Sequence, residues 1–103
     1  MKNKYKIITL CGSNKFKDDF IEQQKRLTLM GNMVMSPYLF FDDREISISD
    51  KVMLDDIQRQ KINISDEIFV INKNGYIGES TKKEIQYAAI CHKTIRYMEK
   101  NND

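Results

Sequence analysis

The feature that most constrains the fold is a short apolar run at residues 67–71, Glu-Ile-Phe-Val-Ile. Such a run is typical of a β-strand that is buried on both faces, as in a parallel sheet covered by helices. A loop with Gly75 and Gly78 follows, where glycine permits backbone angles that other residues avoid. The next residues have the pattern of a helix that Ser80 or Thr81 could cap. The free N–H groups of that helix would suit an anionic or hydroxyl-rich ligand in the loop.

The rest of the chain repeats this alternation of strand and helix. Apolar, β-branched runs predict strands at residues 5–11, 33–36, 67–71 and 93–98. Helical patterns predict helices at about 15–30, 51–64 and 81–91. Ser49 or Asp50 would cap the second helix, whose apolar stripe is Met53, Ile57 and Ile64. Residues 38–50 mix apolar and charged side chains without a sustained period, so we expect a loop or mobile flap there.

A βαβαβαβ order predicts one α/β domain over residues 1–103, with helices on both faces of a parallel sheet. Right-handed crossovers give the four strands the order 2-1-3-4. In that order the carboxyl ends of strands 1 and 3 form the topological switch point, where ligands bind in open α/β sheets. The loop Gly12-Ser13-Asn14 and the loop after strand 3 would meet there.

Composition and charge argue against several classes of protein. The chain has 17 basic and 15 acidic residues, a formal net charge of +2. This charge is too balanced to indicate binding to a nucleic-acid polymer or to an anionic membrane. No apolar stretch approaches the roughly 20 residues that span a bilayer, and we expect a cytoplasmic protein. Cys11 and Cys91 are far apart and His92 is the only histidine, so we expect no metal site, disulfide or cofactor.

Glu84 is the main candidate for chemistry. It falls in the first turns of the third predicted helix, facing the switch point, where a carboxylate could act as a nucleophile or general base. The alternative is a local role, because Thr81-x-x-Glu84 fits the pattern of a capping box. Spacing alone favours the capping box. A nucleophile would point across the crevice toward Gly12 and Ser13, whereas a capping glutamate folds back on its own helix.

Asp66 is a second candidate acid, just before the third strand. It could orient a sugar hydroxyl, or it could simply end the turn between helix and strand. Two carboxylates at one site would permit the division into acid and nucleophile seen in retaining glycoside chemistry. Cys11 is more simply a buried strand residue than a nucleophile, because no activating base is recognisable near it.

Several segments of the chain together carry a family resemblance. They are residues 64–72 (Ile-Ser-Asp-Glu-Ile-Phe-Val-Ile-Asn), residues 78–88 (Gly-Glu-Ser-Thr-Lys-Lys-Glu-Ile-Gln-Tyr-Ala), the glycine loop between them, Cys11-Gly12-Ser13, and Val34-Met35-Ser36-Pro37. These segments resemble the nucleoside 2-deoxyribosyltransferase superfamily, which includes the deoxynucleoside 5′-monophosphate N-glycosidases.

The resemblance implies a flavodoxin-like three-layer sandwich and an enzyme that cleaves or transfers an N-glycosidic bond. Glu84 matches the position of the family's nucleophile, and Asp66 matches an aspartate near the sugar and base. Ser80, where many members have glycine, would meet a 5′-phosphate at the helix N-terminus. Members complete their sites across a dimer interface, so a homodimer is expected. The implied substrate-binding residues are Gly12, Ser13, Asn72, Gly78, Ser80 and Tyr87.

Two other functions remain open from the sequence. The same crevice could sense a nucleotide or a nucleotide sugar without turning it over, in which case ligand binds and no base is released. A purely structural or interaction protein would bind no ligand, and replacing Glu84 would then change only its stability, by about 1 kcal/mol for a lost cap.

Overall fold

The computed structural model describes residues 4–39 and 46–100. In chain order its elements are β1 (Lys6–Gly12), α1 (Lys17–Leu29), β2 (Asn32–Met35), α2 (Ile48–Ile64), β3 (Glu67–Ile71), α3 (Glu79–Ile90) and β4 (Thr94–Tyr97). Short 3-10 turns at Asn14–Phe16 and Lys73–Gly75 follow β1 and β3. The βαβαβαβ order is therefore the predicted one.

The four strands form one parallel sheet in the order β2-β1-β3-β4. In the register of the sheet Ile8 lies between Val34 and Glu67, and Glu67 in turn pairs with Thr94. This confirms the predicted α/β fold and its strand order, and the architecture is that of a flavodoxin-like sandwich. The carboxyl ends of β1 and β3 are neighbours at the point where the strand order reverses.

The central strands are buried on both faces, as their apolar runs predict. All five residues of β3 are buried, and alternate side chains enter opposite layers. Phe69 and Ile71 pack with α1, whose buried apolar side chains are Phe20 and Leu27. Ile68 and Val70 form a second cluster on the other face.

The second cluster lies beneath α2 and α3. Ile62 from α2 and Ala88 from α3 pack in it against β1 and β3, and both side chains are fully buried. The sheet therefore has α1 on one face and α2 with α3 on the other, which gives the three predicted layers.

Helix α2 differs from its prediction at its start and in its orientation. It begins at Ile48 rather than residue 51, because Ser47 accepts from the Asp50 N–H while the Asp50 carboxylate accepts from the Ser47 N–H. The predicted flap at 38–50 is thus partly helical, and its residues 40–45 lie outside the described part of the chain.

The inward face of α2 carries Gln58 and Ile62 as its buried residues. The predicted apolar stripe lies elsewhere: Met53, Ile57 and Ile64 are 52%, 40% and 63% exposed. The amphipathic pattern in the sequence therefore identified the helix correctly but not the face that packs on the sheet.

None of the helices in residues 4–39 and 46–100 is long and apolar enough to cross a membrane.

Candidate active site

A cleft of about 490 Å³ opens at the carboxyl ends of β1 and β3. Its walls are the loop after β1 (residues 12–15), the segment after β2 (37–38), one face of α2, Tyr76 and the first turns of α3. Small-molecule sites in proteins are commonly of this size, and they occur at the switch points of α/β sheets. The cleft is therefore the site at which this fold would hold a small ligand.

Gly12 allows β1 and β3 to lie close together at the floor of the cleft. A Cβ atom there would lie 3.0 Å from both the Cβ and the carbonyl oxygen of Ile71, and 3.1 Å from the Phe20 ring. Because side chains do not normally approach to 3.0 Å, a larger residue would push β1 away from β3. The predicted site residue Gly12 thus has a packing role in addition to its place at the cleft.

Glu84 lies on the wall of this cleft, in the second turn of α3. Helix α3 begins at Glu79 with Gly78 as its N-cap, so Glu84 is the sixth helical residue. A capping box needs its glutamate at the third helical position, which Thr81 occupies here. The capping-box interpretation is therefore wrong, as is the prediction that Ser80 or Thr81 caps this helix.

Burial raises the pKa of Glu84 to about 7, from an ordinary value near 4.5. Hydrogen bonds with the side chains of Cys11 and Gln58 act in the opposite direction, and the nearby charges of Asp55 and Lys51 oppose each other. The interaction with Cys11 places the carboxyl group near the end of β1. Near neutral pH it is present both as the acid and as the carboxylate, so it can exchange a proton in this range, and its carboxylate form can act as a nucleophile.

Cys11 is fully buried beside Glu84. Burial first, and then the neighbouring Glu84 carboxylate, raise the pKa of the thiol well above its usual value. Since the thiolate is the reactive form, this cysteine is an unreactive thiol at neutral pH. Its interaction with Glu84 lowers the pKa of that carboxyl group, and its predicted role as a buried strand residue agrees with this environment.

The N-terminus of α3 forms a second functional feature of the cleft. Its N-cap, Gly78, provides no side-chain hydrogen bond, and the Lys82 N–H is the donor that closes the first helical turn onto Gly78. The N–H groups of Glu79, Ser80 and Thr81 precede that bond and therefore have no partner within the helix. All three residues line the cleft, so the positive end of the helix dipole faces it.

Lys15 adds a positive charge to the same region. Its Nζ lies 3.4 Å from the centroid of the Tyr76 ring, and Phe16 packs edge-on against that ring at 5.9 Å. The Ser13 hydroxyl accepts from the Lys15 N–H at 3.3 Å, which fixes the start of this turn. Together with the end of α3, the lysine makes this part of the cleft suitable for an anion.

Five of the predicted site residues come together in this cleft, namely Gly12, Ser13, Gly78, Ser80 and Glu84. Asn72 and Tyr87 are engaged elsewhere. The buried Asn72 amide donates to the Glu99 carbonyl at 3.1 Å and accepts from the Glu99 N–H at 2.8 Å. These two bonds fix the segment that follows β4 against the end of β3. The Tyr87 hydroxyl donates to Asn63 Oδ1 at 3.1 Å and joins α3 to the end of α2.

Asp66 lies at the opposite edge of the sheet. It precedes β3 and exchanges two hydrogen bonds of 2.8 Å with Ile7, at the start of β1. The full length of β3 separates it from the carboxyl end where Glu84 lies. This placement corrects the expectation that Asp66 works beside Glu84, since the carboxylate instead accepts from the backbone of the first strand.

A further carboxylate of the cleft, besides those of Glu84 and Glu79, is Asp55, one turn before Gln58 on α2. The Nζ atom of Lys51 lies 2.7 Å from Oδ1 of Asp55, and Lys51 also lines the cleft. Neither Asp55 nor Lys51 was predicted to line the site, because acidic and basic side chains on a helix usually form its solvated face. A signal was available in the spacing, since Lys51, Asp55 and Gln58 recur at helical intervals on one side.

No protein-family model matches the chain, and no curated protein sequence matches it. The described residues 4–39 and 46–100 contain no group of three or more His, Cys, Asp or Glu side chains that could hold a metal ion. The functional inference therefore depends on the geometry of the cleft.

Proposed function

We propose that this protein cleaves or transfers the N-glycosidic bond of a nucleoside or nucleoside 5′-monophosphate, with Glu84 as the nucleophile. The observation that carries the proposal is the position of Glu84, a largely buried carboxyl group in the wall of a cleft of about 490 Å³ at the switch point of the sheet. A nucleophile directed at a sugar needs this placement, whereas a glutamate that only stabilises its own helix does not.

The proposed reaction has two steps. In the first, the Glu84 carboxylate attacks the anomeric carbon, and an ester bond forms as the N-glycosidic bond breaks. The base leaves with the bonding electron pair and takes up a proton from solvent. In the second step, water or another base attacks the same carbon, the ester bond breaks and releases the carboxylate, and the attacking group gives up a proton to solvent. Water as the acceptor gives hydrolysis, and a base gives transfer.

The anion-binding end of the cleft supports a 5′-monophosphate as the substrate. The N–H groups at the start of α3, which have no partner within the helix, and the ammonium group of Lys15 both lie at the cleft. A phosphate placed there would accept hydrogen bonds from Ser80 and its neighbours. The sugar would then extend toward Glu84, which lies one turn further along the same helix.

Release of free base tests the proposal. Purified protein is incubated with a panel of nucleosides and their 5′-monophosphates, and free base is measured by chromatography. The Glu84→Gln variant is expected to lower the rate at least about a thousandfold, because the amide cannot act as the nucleophile. Glu22→Gln, an exposed change on α1 away from the cleft, serves as the matched control and should retain full activity.

Two results would contradict this proposal. Equal turnover by wild type and Glu84→Gln would exclude Glu84 as the nucleophile. Tight binding of a nucleotide by calorimetry, with no base released over a long incubation, would identify the cleft as a sensing site and not an active site.

We further propose that the functional unit is a homodimer formed through the outer surface of α2. Its exposed apolar residues reach 86% exposure at Ile48 and 63% at Val52. Exposed apolar side chains one helical turn apart, as these two are, can form part of a protein interface. Ile48 lines a small cavity with Tyr38 and Lys51 next to the cleft, so a second copy bound there would narrow the mouth of the site.

A further inference from the structure

A small side pocket opens beside Glu84, between α2 and α3. Its volume is about 90 Å³, and it is lined by Asp55 and Arg59 of α2 and by Ser80, Lys83 and Glu84 of α3. Asp55, Ser80 and Glu84 also line the main cleft, so the two cavities adjoin at these residues. A ligand in the cleft can therefore extend a small group into the side pocket.

The lining of the side pocket is polar and carries two positive charges. The two residues that it does not share with the cleft are Arg59 and Lys83, one from each helix. Among the described residues, no apolar or aromatic side chain lines it. Arginine and lysine bind phosphate through charge-assisted hydrogen bonds, so the group that complements this pocket is a phosphate.

The acidic residues nearby leave this positive charge available to a ligand. The carboxylate of Asp55 is already paired with Lys51, whose Nζ lies 2.7 Å from Oδ1. Arg59 Nη2 lies 3.6 Å from Oδ1 of Asp56, which is too long for a hydrogen bond. Lys83 forms no ion pair with any residue in 4–39 or 46–100.

We propose that the side pocket binds a second phosphate of the substrate, carried on the 2′- or 3′-oxygen of the sugar. The preferred substrate is then a nucleoside 2′,5′- or 3′,5′-bisphosphate and not a simple 5′-monophosphate. This inference rests on the proposed function. It assigns Arg59 and Lys83 to the recognition of the substrate, a role separate from the chemistry of Glu84.

The direction of the attack connects the side pocket to those two oxygens. The base of an ordinary nucleotide projects from one face of the sugar, so a nucleophile that displaces it approaches from the opposite face. The 2′- and 3′-oxygens project on that opposite face, toward Glu84. A phosphate on either oxygen would lie beside Glu84, where the side pocket opens. Arg59 and Lys83 would offset the repulsion between this phosphate and the carboxylate.

The test compares three nucleotides of each base, namely the 5′-monophosphate, the 2′,5′-bisphosphate and the 3′,5′-bisphosphate. Calorimetry with the Glu84→Gln protein gives Kd without cleavage of the ligand. One bisphosphate is expected to bind at least about tenfold more tightly than the 5′-monophosphate, because it adds charge-assisted contacts. Base release by wild type should show a preference for the same bisphosphate in kcat/KM.

Substitutions in the Glu84→Gln protein test the side pocket and control for net charge. Lys83→Met and Arg59→Met should each lower the affinity ratio, and both together should lower it to about one. Both side chains are exposed, so these changes should leave the fold intact. Lys82→Met removes the same charge from a neighbouring exposed position that lines neither cavity, and it should leave the ratio unchanged.

Each result decides the inference. Equal affinities for the three nucleotides, no binding of any of them, or a ratio that the double variant preserves overturn it. An equal fall with Lys82→Met also overturns it, because the preference would then reflect only general attraction to a basic surface. If inorganic phosphate alters turnover of the 5′-monophosphate while all three nucleotides bind equally, the pocket takes a free anion and the inference is wrong.

Failure of the proposed function is recognised separately. If wild type releases base from none of the nucleotides, the proposed function fails, whereas the ratio of affinities still decides the role of the side pocket. Base release from the 5′-monophosphate with no preference for either bisphosphate keeps the proposed function and overturns the inference.

Discussion

At the scale of single residues, the molecule holds Glu84 where a negative charge is costly. Burial raises the pKa of this carboxyl group, and hydrogen bonds from Cys11 and Gln58 only partly offset the effect. Such a carboxyl group is poised to change its protonation state near neutral pH. A core position without function would be served better by an apolar side chain, which would carry no desolvation penalty.

The activity is expected to depend on pH through Glu84. With a pKa of about 7 in the free protein, the nucleophilic carboxylate is lost as pH falls below 7 and complete above about pH 8. The kcat/KM for base release should therefore rise about tenfold per pH unit below pH 6 and reach a plateau above pH 8. Circular dichroism over the same range controls for unfolding. A profile that is flat, or that falls as pH rises through 7, would contradict the assigned role.

The sequence could not predict which of several polar residues lie at the site. Asp66 and Asn72 flank the same buried strand, and the sequence alone cannot say which end carries a functional side chain. The structure engages both in backbone hydrogen bonds. Gln58 could not be predicted because a polar residue within a helix is normally exposed, and its burial depends on how α2 packs on the sheet.

At the scale of elements, the first turn of α3 is the feature that distinguishes a phosphate-bearing ligand. Its start at Glu79 could not be predicted, because Ser80 and Thr81 are both good capping residues while glycine at position 78 also permits the cap. With Gly78 as the cap, no side chain of the cap occupies the N–H groups of the first turn. They remain available to the ligand together with Lys15.

Replacing Lys15 should weaken the binding of phosphate selectively. In Lys15→Met the ammonium charge is lost while the aliphatic stem is kept, so we expect KM for the 5′-monophosphate to rise about tenfold. The KM for the corresponding nucleoside should not change. Lys17→Met, an exposed change at the start of α1, is the matched control. Equal effects on nucleotide and nucleoside would show that Lys15 does not contact the phosphate.

Helix α2 shows why periodicity alone did not identify its packing face. Its exposed apolar residues and its buried residues Gln58 and Ile62 lie on different sides of the helix. A pattern of apolar residues predicts burial against some surface, but not which surface. In this chain the sheet and a second subunit are the two candidates.

At the scale of the whole molecule, topology was the most predictable property. The alternation of apolar runs and helical segments, combined with right-handed crossovers, leaves few strand orders. The order β2-β1-β3-β4 confirms that argument and places the cleft at the expected edge. The contributions to this cleft from α2 depend on tertiary packing, which the local pattern does not specify.

The proposed homodimer makes a prediction at this scale. Wild type should elute with twice the chain mass of 12.2 kDa in chromatography with light scattering. The double variant Val52→Asp with Ile57→Asp should be monomeric, because two buried charges would oppose association. Ile21→Asp, which alters a similarly exposed isoleucine on α1, is the control and should remain dimeric. A monomeric wild type at micromolar concentration would exclude the dimer.

The most direct test of Glu84 as a nucleophile is the mass of the intact protein after rapid acid quenching with its substrate. Formation of the ester adds the mass of the substrate minus that of the free base, and digestion should locate the addition on the peptide that contains Glu84. Wild type is expected to show this adduct, and Glu84→Gln should not. Base release by wild type with no adduct on Glu84 under any quench time, or an adduct on another residue, would contradict the account.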